Sequence, residues 1–306
     1  MGKWRAALHI LPLGVVGCLL TVPLDGLSGD NPGMASTDSG DALAQATGTL
    51  DGSTNDALGA SSADGADGAN DGSANDADVA STYASEVLAD RPVLYLRLGE
   101  SGTTAPARDS TSFHRDGSFG GAVKCGVPGA IRRDADTACR FDGTSSAVHV
   151  SNAGLVFSGR ASYSVEAWAR PTSVTADHGV FSIAGHDELN DGYLLLVGTD
   201  TRPYIFRETG VENGGASGFM MDLGVYHHIV GTYDGTTQRL YVDGALAGTG
   251  PAVQSIPGKA NIPFTIGADG SGNNQPFIGD IDEVAVYDYP LSAERAAAHF
   301  RAGQKP

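Results

Sequence analysis

Three acidic side chains fall within four positions in the stretch GDIDEVAVYD, residues 279–288. Its apolar residues alternate as in a β-strand, where positions i, i+2 and i+4 share one face. Carboxylates displayed on a strand face are how one class of glycosidase builds its catalytic acid and nucleophile, about 5.5 Å apart in retaining enzymes. A period of two places Asp280 and Asp282 on one face with Val284 and Val286, and Glu283 on the other with Ile281 and Ala285. Val284 then stands where a third carboxylate would be needed, so a packed strand is expected here and catalysis is not. His227 and His228 are adjacent, and neighbouring strand residues face opposite ways, so the pair is expected to be structural. No G-x-S-x-G elbow occurs, and no serine nucleophile is expected.

The remaining reactive side chains are three cysteines, Cys18, Cys125 and Cys139. Cys18 lies in MGKWRAALHILPLGVVGCLLTVPL, residues 1–24, where Lys3 and Arg5 precede an apolar run as in a signal peptide. VVGC, residues 15–18, resembles a bacterial lipobox, which implies lipidation of Cys18. An ordinary cleaved signal and an uncleaved anchor remain alternatives, and all three place the rest of the chain outside the cytoplasm. Two of the cysteines remain, and in an oxidising compartment Cys125 and Cys139 are expected to pair. Such a bridge closes a loop of about 15 residues, worth roughly 3 kcal/mol in the chain-entropy model. Two free thiols are the alternative.

Residues 25–82 are mostly Ala, Ser, Gly, Thr, Asn and Asp, with eleven Asp and no Glu, Lys or Arg. They supply −11 of the chain's net −17. Without apolar periodicity such a segment cannot bury enough surface to offset its chain entropy, so a disordered linker is expected. No D-x-[DN]-x-[DN]-G loop with flanking helices is present, so its DG steps do not read as EF-hands. Clustered Lys and Arg are absent, which excludes a nucleic-acid partner. The membrane is expected to be met only through the N-terminus.

From residue 83 the composition changes. A short helix is expected over Tyr83 to Asp90, ended by Pro92, and another over 291–300 with Ser292 as N-cap. Between them lie short Val-, Ile-, Tyr- and Phe-rich runs: 93–98, 138–143, 147–151, 163–170, 179–185, 193–198, 203–208, 226–234, 239–244, 264–268 and 277–288. Gly, Asn, Asp and Pro separate them, and Asp243-Gly244 is a strong hairpin signal. Many short strands with turn chemistry between them predict an all-β, two-sheet antiparallel domain over residues 83–306.

PVLYLRLGE (92–100), FDGTSSAVHV (141–150), YSVEAWARP (163–171), YHHIVGTYDG (226–235), RLYVDG (239–244) and FIGDIDEVAVYDYPLS (277–292) carry a resemblance. Their wording and order resemble the laminin-G-like, concanavalin A-like jelly-roll domains of bacterial surface proteins, across nearly all of residues 83–301. The resemblance implies a jelly-roll sandwich and a non-enzymatic binding role, with glycan as ligand or an extracellular protein as partner; a divergent jelly-roll glycosidase is the remaining alternative. In some relatives a calcium ion sits between a DSSGN-type loop and the acid of the last strand. The corresponding loop is DSTSFHRDG, 109–117, which makes Asp109, Asp282 and Asp116 the expected Ca2+ ligands. Glycan recognition is expected on the loops 186–191, 207–218 and 268–276. Tyr193, Tyr204, Asn213, Asn273 and Asn274 are the expected contact residues, aromatic faces for sugar rings and amides for hydroxyls. The expected whole is an exported module on the outer surface of a bacterial envelope, lipid-anchored or secreted.

Overall fold

A computed structural model describes residues 82–304, apart from 152–153, 176–179, 188–191, 210–212, 252–254, 260 and 271–274. These residues belong to the second of the chain's two units, Asp78–Pro306. Cys18 and the acidic linker up to residue 81 lie outside the described residues, as do Asn273 and Asn274.

The elements begin with α1 (Tyr83–Ala89), β1 (Leu94–Leu96), β2 (Gly117–Gly120), β3 (Lys124–Pro128), β4 (Thr137–Asp142) and β5 (Ala147–Val150). They continue with β6 (Tyr163–Pro171), β7 (Val180–Asp187), β8 (Gly192–Gly198), β9 (Pro203–Glu208) and β10 (Asn213–Ser217). The last are β11 (His227–Tyr233), β12 (Gln238–Val242), β13 (Ala245–Gly250), β14 (Phe264–Ile266), β15 (Ile278–Tyr287) and α2 (Ala293–Gly303). One sheet has the order β13-β12-β11-β6-β15-β4-β3, with β1 also paired to β15; the other runs β10-β9-β8-β7-β14-β5-β2. Every pairing between named strands is antiparallel. The result is the expected jelly-roll sandwich.

The main core fills the space between the sheets, with Phe141, Val165, Ala167, Ile183, Leu195, Ile229, Ile281 and Val286 among its buried members. A second apolar cluster lies on the outer face of the β15 sheet, where α1 and α2 cover Tyr95, Trp168, Ala285 and Tyr287. Both helices begin as the sequence suggests. Thr82 and Ser292 accept from the backbone N–H three residues on, satisfying one of the free donors of each first turn. Asp243 and Gly244 both take positive φ (50° and 75°) between β12 and β13, as the two-residue turn requires.

Strand β15 departs from a period of two. Its pairing with β6 shifts between Asp282 and Ala285, where Glu283 takes a φ of 54°. This is a β-bulge, in which one extra residue opposes the partner strand. Ile281, Val284 and Val286 therefore point into the main core, while Ala285 and Tyr287 point outward. Glu283 is turned to the outer face, where it meets Tyr95 and Arg97, so Asp280, Asp282 and Glu283 share that face. The expected split of these acids, with the valines beside Asp280 and Asp282, is corrected by this one residue.

Candidate functional site

The outer row of β15 is buried and almost wholly paired within the protein. Asp280 stands opposite Arg140 on one neighbouring strand and Arg170 on the other. Arg140 Nε donates to its Oδ1 at 2.7 Å and Arg170 Nε to its Oδ2 at 2.7 Å, so two guanidinium groups hold one carboxylate. Glu283 accepts from Tyr95 Oη and from Arg97 Nε at 3.3 Å. Burial pushes its carboxyl up to about 7, against the pull of Arg97. Asp282 accepts from the Ala130 N–H at 2.8 Å through Oδ2, and its Oδ1 has no partner among the described residues. Burial, and then the charge of Glu283, raise its pKa well above the ordinary carboxylate value. Segment 128–136 lies over this pair, with Asp134 and Asp136 both bonded to Arg97 at 2.8 Å.

Further along the same face, Glu166 on β6 is the hub of a second polar cluster sealed under the helices. It accepts from Tyr83 Oη at 2.8 Å, Tyr287 Oη at 2.7 Å and His228 Nε2 at 2.7 Å. His299 Nδ1 lies 3.0 Å from both carboxylate oxygens, while its Nε2 lies 3.0 Å from Asp90 Oδ2. A carboxylate lies at each ring nitrogen, which favours the imidazolium form of His299, although the Arg295 guanidinium also lies 3.4 Å from Nε2. Burial alone would raise the Glu166 pKa, but His299 and His228 outweigh it and hold the carboxyl well below its usual value. Burial likewise opposes the charge on His299, and Glu166 outweighs that and raises its pKa. Arg295 completes the chain, bonding Asp90 at 2.6 Å and Glu86 at 2.9 Å. His228 thus has the structural role expected of it, and His227 Nδ1 instead meets Asp243 Oδ2 at 2.8 Å. The paired acids and imidazoles resemble catalytic constellations in type, but Glu166, His228 and His299 have no exposed surface through which a substrate could reach them.

The loop expected to bind calcium is closed by its own hydrogen bonds. Asp109 Oδ1 accepts from the N–H groups of Tyr95 and Thr111, and Oδ2 from Thr111 Oγ1 and the Arg115 N–H. Asp116 accepts from the Asp109 N–H. Calcium takes six to eight oxygen ligands from carboxylates, carbonyls and waters. Among the described residues, the one group of three potential ligands whose atoms lie within 4.8 Å of one another is Glu100, Cys125 and Cys139. Its two cysteines form a disulfide, as expected, so it is no metal centre. Asp116 meets Asp109 within this loop, but the two do not form with Asp282 a group of three ligand atoms lying within 4.8 Å of one another.

Of the expected ligand contacts, Tyr193 is corrected. It is fully buried in the main core, and its hydroxyl donates to the Leu155 carbonyl at 2.6 Å. The run YLLLVG is apolar at every position, so alternation gave no sign of which residues face out. Tyr204 is half-buried on the other face of that sheet, beside Leu194, Leu196 and Phe206, with its hydroxyl donating to Asp200 at 3.2 Å. Asn213 opens β10 opposite Glu208.

A surface cleft that sequence reading missed lies beyond the end of β15. Its volume is about 490 Å³, and its walls come from the turn after α1, from loop 110–113 and from Asp288 and Tyr289. Phe113 is 54% exposed there, and Arg115 lies 4.2 Å from its ring centroid, holding one side of the ring. Ser110, Ser112, Asp288 and Arg91 are exposed polar groups around it. The hydrogen bonds of Asp109 fix the shape of the loop whose residues 110–113 form one wall of the cleft. A lone Phe in the otherwise polar run DSTSFHRDG was the available clue.

A family model for the concanavalin A-like lectin/glucanases superfamily matches residues 142–297, slightly more than half of the chain. No curated protein sequence matches. Domain 4 of AbnA, an extracellular arabinanase from Geobacillus stearothermophilus solved in complex with arabinotriose, is 20% identical with a TM-score of 0.54. The match covers 68% of this chain and 97% of that domain. The binding domain of Paraclostridial Mosquitocidal Protein 1 is 16% identical with a TM-score of 0.56, covering 70% of this chain and 52% of that one. The binding domain of botulinum neurotoxin serotype D is 14% identical with a TM-score of 0.53, covering 69% and 52% respectively. The chain therefore spans about half the length of the two toxin domains. At these identities the likeness is one of fold.

Proposed function

The chain belongs to the concanavalin A-like lectin/glucanases superfamily, and from that premise we propose that it is an exported, surface-tethered and non-catalytic module that binds carbohydrate. The observation that carries this reading is the cleft beside Phe113. An exposed aromatic face packs against the C–H surface of a sugar ring, while the hydroxyls of Ser110 and Ser112 and the charges of Asp288 and Arg91 suit its hydroxyl groups. A cleft of about 490 Å³ is within the range of small-ligand sites. The arabinotriose held by the arabinanase domain supports the same ligand class. The cleft lining contains one carboxylate, Asp288, where glycoside hydrolysis uses two. The other acids of β15 are buried and bonded, which supports binding without turnover.

The test is a glycan array probed with the full chain and with Phe113→Ala. The variant should lose roughly tenfold or more in affinity for any glycan retained, since a sizeable apolar contact is removed. An array on which nothing binds, or on which Phe113→Ala binds equally, would sink this reading in favour of an extracellular protein partner. The tether part rests on residues 1–82: a positive and apolar start, Cys18 in a lipobox-like setting, then an acidic spacer. Incorporation of a labelled lipid precursor that Cys18→Ala abolishes is the expected result. Label retained in the variant would dismiss lipidation at that residue.

A further inference from the structure

Seven residues between β10 and β11 read FMMDLGV, 219–225, and four of them are large apolar side chains in contact with water. Phe219 is 63% exposed, Met220 66%, Leu223 46% and Val225 47%. A loop free to move would fold such side chains inward, but this one is fastened at three points. The N–H of Gly218 donates to the Pro203 carbonyl at 2.8 Å, that of Met221 to Thr201 at 3.0 Å and that of Gly224 to Pro171 at 2.8 Å. Met221 is buried in the main core as an anchor. The Tyr226 hydroxyl holds the far side, donating to the Pro128 carbonyl at 2.9 Å. The loop thus holds an aromatic and three aliphatic side chains outward in a fixed arrangement, so a partner is met without a further ordering cost.

We propose that this loop docks into the lipid bilayer that carries the chain's own N-terminal anchor, setting Phe219, Met220 and Leu223 among the acyl chains. The proposal rests on the tethered reading above and departs from the expectation that only the N-terminus meets the membrane, by assigning a face of the domain to it as well. Three observations favour a bilayer. The loop crosses from one sheet to the other at an end of the sandwich, so it is a protruding tip. The chain also enters the domain on that side. Tyr83, at the start of α1, packs against Trp168 and His228, while Asp90 at its other end meets Tyr289. Segment 25–82, behaving as the coil that its composition predicts, would span roughly 45 Å, which keeps the tip within reach of the surface at high effective concentration. The acidity of that segment offers anionic lipid no attraction, so a zwitterionic surface is the suitable probe. Gly224 bonds to Pro171, which pairs with Gly279 near the start of β15, whereas the Phe113 cleft includes Asp288 and Tyr289 beyond its end. Tip and cleft are separated by roughly 30 Å of strand, so a docked tip presents the cleft away from the membrane.

The full chain is mixed with phosphatidylcholine liposomes, with an environment-sensitive fluorophore on Met220→Cys or on Ser112→Cys at the cleft. The wild type treated with the same fluorophore gives the background. The chain should float with the liposomes. The Met220 label should shift to the blue and be quenched by nitroxide-bearing lipid, and the Ser112 label should do neither. Adding Phe219→Asp to the Met220→Cys chain should abolish the shift while flotation persists. A floating chain whose Met220 label is as open to aqueous quencher as the Ser112 label overturns the docking and leaves the anchor standing. A chain that does not float overturns both. A Met220 label shielded without liposomes, together with a doubled mass in sedimentation, gives the loop to a second copy and also overturns the proposal.

Discussion

Two buried glutamates on one sheet face show how neighbours decide what a carboxylate does. Glu166 sits among hydroxyls and imidazoles that all donate to it, so its charge is held although it has no exposed surface. Replacing it by Gln removes the counter-charge of the buried His299 imidazolium. Loss of one partner of a buried ion pair costs about 3–5 kcal/mol, so Glu166→Gln should lower the urea midpoint sharply at neutral pH. An unchanged midpoint would mean that the cluster does not stabilise the fold. Glu283 is the opposite case, with burial raising its pKa from 4.5 to about 7. Below the unfolded value both states hold the proton, and above about 7 both have lost it. Between these limits the folded state alone keeps it, so stability should fall as pH rises from about 4.5 to 7. The drop is of the order of a few kcal/mol, and Asp282, whose pKa is raised in the same direction, shares in it. Urea midpoints at pH 5 and pH 8 should differ less in Glu283→Gln than in the wild type. An equal difference would place the pH dependence elsewhere.

The bulge in β15 makes a prediction that belongs to the strand. Removing Glu283 by deletion leaves Asp282 outward and Val284 inward, so the alternation becomes regular and the register with β6 is kept. Removing Ile281 drives Asp282 toward the apolar core. The first deletion should fold with a lowered melting temperature, and the second should not fold, as circular dichroism would report. Equal behaviour of the two would refute the assigned register. Much of the element order was legible in the sequence because strand runs and turn residues alternate clearly, as at Asp243-Gly244 and at the Ser292 cap. Strands β2, β3 and β10 were not, since GSFG, KCGVP and NGGAS carry few β-forming residues and pair because their neighbours supply the edges. The bulge escaped because a single extra residue leaves no mark on composition. The cleft escaped because its walls come from three segments spread over about 200 positions of chain, and only Phe113 looked out of place in its own loop.

At the scale of the molecule, the sandwich is closed at one margin by covalent chemistry. Cys125 and Cys139 are cross-strand partners on β3 and β4, and β3 is the outermost strand of its sheet. Reduction should lower stability by about 3 kcal/mol through the added freedom of the unfolded loop, and matched urea titrations with and without reductant would measure it. A reduced protein of undiminished stability would show that pairing along β3 and β4 suffices to hold that edge. The two helices do a comparable job on the outer face, since α1 from one end of the domain and α2 from the other are joined through Glu86, Asp90, Arg295 and His299. This joint has a mechanical meaning. A pull on the chain at Thr82 reaches the seven-residue α1 first, and the ion pairs to Arg295 and the Tyr83–Glu166 bond take the load together. Only after they part would tension reach β1, which lies against the central strand β15. Under a steady drag the domain would therefore lengthen by one small step before the sandwich itself bore any force, with the helix serving as its fuse.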